Sequence, residues 1–514
     1  MTAEVKKLLK LVFSKKLLGL LILAAQLAIV AATADMLYTG RIFILGGTTV
    51  LSIVVILFEI NRDVSPSFKI IWIAIIAVVP FFGALLYLYV HFDVLSFGIK
   101  KRAHIFNEVT RQRISANSGA LGKLCESEPQ EADIFNYLFK NANAPCYSNS
   151  GAEYFEIGGK MYKRLLNDVK SAKKYIFLEY FIVNENDRMW QELYAVLKDK
   201  AKEGVDVRII YDGMGSLTCT SSDFADDIRK NKIKCRIFSP VKPFLSTYHN
   251  NRDHRKIAVI DGECAYTGGI NLADEYINRK CRFGHWKDSA VRISGDAVEG
   301  FVHMFLQMWV FLDRNEEKFE KYFSKGQTGG ISGGCIAPFE DNPLDNEYVT
   351  ENVFLHMINN AKNYIYISTP YLILDDELTN ALRFAAKRGV DVRITMPHIP
   401  DKWYAFALAR TYYPELLISG VKIYEYTPGF SHAKSTVSDG KRAYIGSANY
   451  DFRSLYLHYE CGAYIYKSPV IDEMYSDYMN TLAKCREFKL SDYKTLSIFY
   501  RLIGRIFRLF APLM

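Results

Sequence analysis

The chain reads as an α/β protein built from a duplicated domain behind an apolar N-terminal region, and three observations point there. Strand-like runs such as 175–179 and 207–211 alternate with helix-like runs such as 189–202 from residue 151 onward, the pattern of a sheet with helices packed on its faces. The second half of that region repeats the first. Three long apolar runs, 17–34, 42–60 and 70–90, fill the first hundred residues.

Taken in order, each apolar run approaches or reaches the ~20 residues needed to cross a bilayer. A cleaved signal peptide fits poorly, because the first run is too long for one and two more follow closely. Residues 1–98 are therefore expected to form a multi-pass membrane anchor. One basic cluster precedes the runs (Lys6, Lys7, Lys10, Lys15, Lys16) and another follows them (Lys100, Lys101, Arg102, Arg111, Arg113). The positive-inside rule wants both in the cytoplasm, which needs an even number of crossings, whereas three runs supply an odd one. Residues 99–150 read as a basic connector.

Residues 151–325 and 345–490 are the two expected α/β domains, joined by a glycine-rich linker at 326–344. The repeat is visible in Ala172-Lys173-Lys174-Tyr175-Ile176 against Ala361-Lys362-Asn363-Tyr364-Ile365. It recurs in Gly204-Val205-Asp206-Val207-Arg208-Ile209 against Gly389-Val390-Asp391-Val392-Arg393-Ile394. In the terminal segment, 491–514, Arg501, Arg505 and Arg508 share one helical face while Leu502, Ile506, Leu509 and Phe510 lie mostly on another. That pattern suits an anionic membrane surface, and equally a helix packed on the catalytic region.

The formal net charge of +8 admits nucleic acid or acidic phospholipid as partner and excludes neither. Nine cysteines are scattered without a Cys-x-x-Cys pair, so they read as reduced thiols of a cytoplasmic-facing catalytic region rather than as a metal site.

The chemistry lies in a repeated His-x-Lys-x4-Asp pattern. The first copy is His254, Lys256 and Asp261, followed by Gly268-Gly269-Ile270-Asn271; the second is His432, Lys434 and Asp439, followed by Gly446-Ser447-Ala448-Asn449. In a strand, residues i and i+2 share a face, so each histidine sits beside its lysine. Two imidazoles can divide the work on a phosphodiester, one attacking phosphorus and the other protonating the leaving oxygen. Lys256, Lys434, Asn271 and Asn449 can hold the non-bridging oxygens, with Gly269 and Ser447 allowing close approach. Glu460, 28 residues after His432, and Asp288, 34 after His254, are the carboxylates expected to orient the imidazoles; Asp261 and Asp439 complete the catalytic motif and are expected to brace its strand ends rather than touch substrate. Such a site calls for no metal and no cofactor.

The doubled motif with its Gly-Gly/Ser-x-Asn sequel resembles the phospholipase D superfamily. Arg252-Asp253-His254-Arg255-Lys256, Asp274-Glu275-Tyr276, Trp286-Lys287-Asp288, Thr369-Pro370-Tyr371 and Asn449-Tyr450-Asp451-Phe452-Arg453-Ser454 extend the likeness to bacterial cardiolipin synthases over nearly the whole chain. Three departures stand out: Asp253 for a frequent Asn, His458 where an Asn commonly precedes the final Glu by two, and the segment 330–344. The resemblance implies two phospholipase-D-like halves about a pseudo-twofold axis, sharing one site. It also implies a two-step transfer between two phosphatidylglycerol molecules through a phosphohistidine, giving cardiolipin and glycerol, with His254 as nucleophile and His432 as acid then base. Glu179, Tyr180, Asp212, Gly213, Gly215, Ser216 and Tyr371 are expected along the cleft. A phospholipid hydrolase or phosphatidylserine synthase is the alternative; a nuclease, and hence a nucleic-acid partner, is disfavoured by the apolar segments.

Overall fold

The computed structural model describes residues 42–62, 64–91, 128–240, 250–312, 319–323, 334–345 and 347–513, together with 121, 122, 124 and 126. The apolar run 17–34, both basic clusters, Cys125 and residues 326–333 of the expected linker lie outside them. The chain divides into two compact units, one of residues 1–94 with 242–247 and one of the remainder.

In the first unit, α1 (Ile42–Ile60) coincides with the second apolar run. The third run is not one helix but two, α2 (Pro66–Val78) and α3 (Pro80–His91). Pro80 is the cause: it has no N–H to donate, and its ring clashes with the carbonyl one turn back. Gly83 then lets α3 lie close to α2, since a Cβ there would sit 2.9 Å from the Ile75 carbonyl oxygen. The Tyr87 hydroxyl donates to Glu59 at 2.6 Å, tying α3 to α1. Counting residues whose side chains are described, from Thr49 onward, no helix is long and apolar enough to cross a membrane.

The second unit starts with α4 (Pro129–Ala142) inside the expected basic connector. It then runs through β1 (Ser150–Phe155), β2 (Tyr175–Tyr180), β3 (Asp206–Asp212), β4 (Lys234–Phe238), β5 (Arg252–Asp253), β6 (Lys256–Ile260), β7 (Cys264–Gly268), β8 (His285–Lys287) and β9 (Ala290–Gly295). The second half follows with β10 (Cys335–Asp341), β11 (Tyr364–Ser368), β12 (Leu372–Ile373), β13 (Asp391–Pro397), β14 (Lys422–Tyr426), β15 (Gly429–Ser431), β16 (Ser435–Ser438), β17 (Arg442–Gly446), β18 (Tyr450–Asp451), β19 (His458–Tyr466) and β20 (Cys485–Phe488).

The duplication is written in the strand orders. One sheet runs β1-β9-β7-β6-β2-β3-β4 and the other β10-β19-β17-β16-β11-β13-β14-β20, so seven strands correspond one for one and β20 is an addition. Residues 335–341 therefore correct the linker expected at 326–344: they are the edge strand β10, paired with β19 from Cys335↔Tyr466 to Asp341↔Glu460, and stand where β1 stands in the first half. Their sequence, Cys-Ile-Ala-Pro-Phe-Glu-Asp, keeps its proline at a sheet edge, where strands tolerate it.

Alternation of buried residues along the strands sends one apolar face of each sheet into a shared core. Phe177, Ile257, Val259, Val291 and Ile293 of the first half pack there with Val437, Ala443, Ile445, Ala463 and Ile465 of the second. Two short parallel pairings also cross between the halves and are reciprocal. β5, just before His254, pairs with His458 and Tyr459, just before Glu460; β15, just before His432, pairs with β8, just before Asp288.

Candidate active site

These crossed pairings place the two histidines. The backbone N–H of His254 donates to the Tyr459 carbonyl at 3.0 Å and that of His432 to the Lys287 carbonyl at 2.6 Å, so each histidine is anchored to the opposite half. Its carboxylate comes from there too. Nδ1 of His254 lies 2.9 and 3.0 Å from the two oxygens of Glu460, and Nδ1 of His432 lies 2.7 Å from Asp288 Oδ2. Each carboxylate thus serves the histidine of the other copy. With Nδ1–H donated to a carboxylate, Nε2 is left with its lone pair, the tautomer a nucleophile or general base requires.

All four partners are buried, and burial is what brings both histidines down. Desolvation, against the pull of Glu460 and with the push of Lys256, keeps the His254 imidazole well below its ordinary pKa. Burial and then Lys434 bring His432 down to about 4, against Asp288. Burial also lowers Lys256 to about 8 and Lys434 to about 7. Burial works against ionised Glu460, yet His254 and then His458 hold it well below the usual carboxylate range. Each lysine ammonium donates to the carbonyl of its own histidine, Lys434 at 2.5 Å, so the His-x-Lys pairs form as the strand spacing predicts.

Several predicted residues are near the site but employed differently. Gly269 makes room for a carboxylate: a Cβ there would sit 2.1 Å from Asp288 Oδ1. The Ser447 hydroxyl donates to Glu460 and so braces the carboxylate that holds His254. Asn271 accepts from the Ile182 N–H at 3.1 Å and donates to the Tyr276 hydroxyl at 2.8 Å, while Asn449 donates to Asp451 at 3.0 Å. One amide hydrogen of each asparagine remains for a phosphate oxygen.

Asp261 and Asp439 are not at the site. Asp261 accepts the N–H groups of Lys173, Lys174 and Tyr175 at 2.7–2.8 Å, and Asp439 those of Lys362, Asn363 and Tyr364 at 2.7–2.9 Å. At ~3.3 Å per residue, each lies a strand's length, roughly 17 Å, from its lysine. Both have positive φ, 56° and 53°, which aspartate tolerates better than most side chains. Of the residues expected along the cleft, Asp212 collects the N–H groups of Met214, Gly215 and Asp253, Ser216 bonds Val183 and Phe181, and Tyr371 donates to Asp401.

Glu179 is also structural, and it leads to a feature that the motif alone conceals. Arg255, between His254 and Lys256, points to the opposite strand face. There it meets Glu179 at 2.6 Å, Glu340 of β10 at 2.7 Å and Asp253 at 3.3 Å. One guanidinium among two fully buried carboxylates and a third, Glu340, that is mostly covered leaves excess negative charge, and desolvation, opposed by Arg255, pushes Glu340 up to about 7. Strand alternation was the signal for this clamp and also for His458, two residues before Glu460 on the same face. The His458 ring centroid is 5.4 Å from that of His254 and its Nδ1 lies 3.6 Å from Glu460 Oε1, while neither of its buried nitrogens comes within hydrogen-bonding distance of a partner among the described residues. The donor atoms of His254, His458 and Glu460 lie within 4.8 Å of one another, near enough for a d-block cation. Aromatic rings close the site: Phe181 beside His254, and Tyr276, Trp286 and Phe430 around His432 at 5.2–5.8 Å.

Comparison with known proteins agrees with this geometry. A family model described as "Cardiolipin synthase, PLD-like domain" matches residues 165–309 and 354–482, one match per half, and "Phospholipase_D-nuclease N-terminal" matches 49–90. The chain is 42% identical to an uncharacterized protein of Streptococcus mutans, over 89% of this chain and 99% of that one. It is 34% identical to a cardiolipin synthase of Alkalihalophilus pseudofirmus, over 92% and 94%. The crystal structure of phosphatidylserine synthase from Haemophilus influenzae superposes with a TM-score of 0.55 at 13% identity, covering 71% of this chain and 95% of that one, a likeness of fold alone. With a doubled phospholipase-D-like fold and full-length similarity of this order, the chain belongs to the cardiolipin synthase family, phosphatidyltransferases of the phospholipase D type.

Proposed function

We propose that the chain joins two phosphatidylglycerol molecules into cardiolipin and glycerol through a phosphatidyl-histidine. The crossed His254–Glu460 and His432–Asp288 pairs carry this reading, because they supply two imidazoles, each oriented by a carboxylate, to one site. Nε2 of His254 attacks phosphorus; the bond to the headgroup glycerol breaks, and that oxygen takes its proton from the other imidazole, His432, which must enter the step protonated. The terminal hydroxyl of a second phosphatidylglycerol then gives its proton to His432 and attacks phosphorus, releasing His254. Lys256 and Lys434 neutralise the phosphate oxygens as charge accumulates.

Purified full-length protein in phosphatidylglycerol vesicles is expected to release cardiolipin and glycerol in equal amounts; phosphatidic acid as the main product would make it a hydrolase. Wild-type protein turning over phosphatidylglycerol labelled in its phosphorus, then denatured in alkali, where a phosphohistidine survives, should carry label on His254. Label on neither histidine would refute the covalent step.

The catalytic unit is proposed to face the cytoplasm of a cell whose membrane holds the apolar N-terminal region. The support for the membrane is the row of exposed apolar side chains along α1–α3, among them Val50, Ile53, Val54, Leu57 and Phe58, and the support for the cytoplasmic side is the cysteine spacing of a reducing compartment. Cys281, exposed on the second unit, is the thiol to probe. An impermeant maleimide should modify it only after permeabilisation; equal labelling in sealed cells would put the unit outside. Cys461, by contrast, is buried and uninformative.

A further inference from the structure

The C-terminal helix, Ile498–Arg508, has two apolar faces where a helix packed on a soluble domain needs one. The inner face rests on the helix Trp403–Ala409, and the approach is close at Gly504, where a Cβ would lie 2.5 Å from the Ala407 carbonyl oxygen. The outer face gathers Ile498, Phe499, Leu502, Ile506, Leu509 and Phe510, which fall within about 120° of one another on a wheel of 3.6 residues per turn. All six are exposed, Phe499 by 73% and Leu509 by 66%. Trp403, 56% exposed, and Tyr404 stand beside them, each with its ring centroid 6.1–6.2 Å from that of Phe507.

The Trp403–Ala409 helix links the C-terminal helix to the strands of the catalytic site. The Trp403–Ala409 helix packs on β12, and Tyr404 lies near enough to Arg453 to act on its charge. Arg453 in turn faces Asp451, the acceptor of the Asn449 amide. The Arg453 guanidinium keeps a buried Nε without a partner among the described residues. The exposed apolar face therefore neighbours the phosphate clamp by way of the Trp403–Ala409 helix, which packs on β12, the partner of the β18 strand that carries Asp451. The charge of the helix has one sign: Arg501, Arg505 and Arg508 form a stripe between its two apolar faces, and residues 498–508 contain no carboxylate.

We propose that this face, the C-terminal helix with Trp403 and Tyr404, seats on the surface of an anionic phospholipid bilayer and presents the mouth of the active site to it. Apolar residues enter the acyl boundary, the tryptophan and tyrosine occupy the headgroup level, and Arg501 and Arg505 meet lipid phosphates. A lipid can then reach the buried histidines without its acyl chains crossing water. This deepens the phospholipid reading and rests on it.

The test compares wild type with Phe499→Asp/Leu502→Asp, both full length, on two substrates: phosphatidylglycerol in bilayer vesicles, and short-chain dihexanoyl phosphatidylglycerol below its micellar concentration. Docking predicts at least a tenfold loss on vesicles with monomer turnover kept within about twofold. Unchanged vesicle turnover would overturn it, and so would equal loss on both substrates. Bromolipid vesicles should quench wild-type tryptophan fluorescence more than that of Trp403→Phe, which reads docking even if wild type makes no cardiolipin and the functional reading fails. Equal quenching would overturn the proposal, and a cross-linked dimer abolished by the Asp variant would assign the face to a second copy of the chain and overturn it too.

Discussion

His254 and Glu460 are separated by 206 residues and belong to different copies of the duplicated domain, yet Nδ1 of the one lies 2.9 Å from the carboxylate of the other. Neither copy can orient its own histidine, so the halves must be joined before there is a site.

Glu460→Gln tests that dependence. The amide can present its N–H to Nδ1 and so favour the wrong tautomer, as loss of the orienting carboxylate does in other His–carboxylate pairs. Cardiolipin formation is expected to fall by about 10²–10⁴-fold with the melting temperature little changed. A loss under threefold would remove Glu460 from the mechanism.

The lysine clamp should show in the pH profile. A lysine is cationic below its pKa and neutral above it. With Lys434 near 7 and Lys256 near 8, kcat/KM should therefore decline as pH rises through 7–8, where ordinary lysines, with pKa about 10.4, would hold their charge. Lys434→Arg keeps its charge throughout and should move the alkaline limb upward by about one pH unit, to the limb that Lys256 sets near 8, at reduced maximal rate. An unmoved limb would mean that it reports another group.

Arg255 should matter for stability more than for chemistry. Its removal leaves Glu179, Asp253 and Glu340 buried together, and breaking a buried ion pair from one side costs about 3–5 kcal/mol. Arg255→Leu is expected to lower the unfolding midpoint in urea sharply, and Glu340→Gln much less, since burial already favours the protonated form of Glu340. A midpoint for Arg255→Leu close to wild type would contradict the clamp.

Asp261→Ala separates bracing from catalysis. It strips acceptors from three backbone N–H groups and puts alanine at φ 56°. The expected result is a loss of about 2–4 kcal/mol of stability, with KM and kcat of the surviving folded protein within about threefold of wild type. A selective collapse of kcat would return Asp261 to the active site.

The duplication, both His-x-Lys pairs, the candidate carboxylates and the amphipathic terminal helix were all legible in the chain, because strand and helix periods are local rules that put Lys256 beside His254 and Leu502 beside Ile506. The third apolar run misled for an equally local reason: hydropathy counts Pro80 as one mildly polar residue, whereas sterically it ends a helix. Residues 335–341 passed for linker because an edge strand is stabilised by its neighbour β19 rather than by its own composition.

What the sequence by itself determined is the set of reacting groups and their faces. Only the tertiary structure decided which carboxylate serves which histidine, that Ser447 and Gly269 support carboxylates, that Arg255 locks the halves, and that one face of the last helix stays uncovered. The physical reason is that each depends on pairing between segments that no periodicity within either one encodes: 206 residues separate His254 from Glu460 and 85 separate Arg255 from Glu340, and even Ser447 and Glu460, 13 apart, meet only because their strands pair.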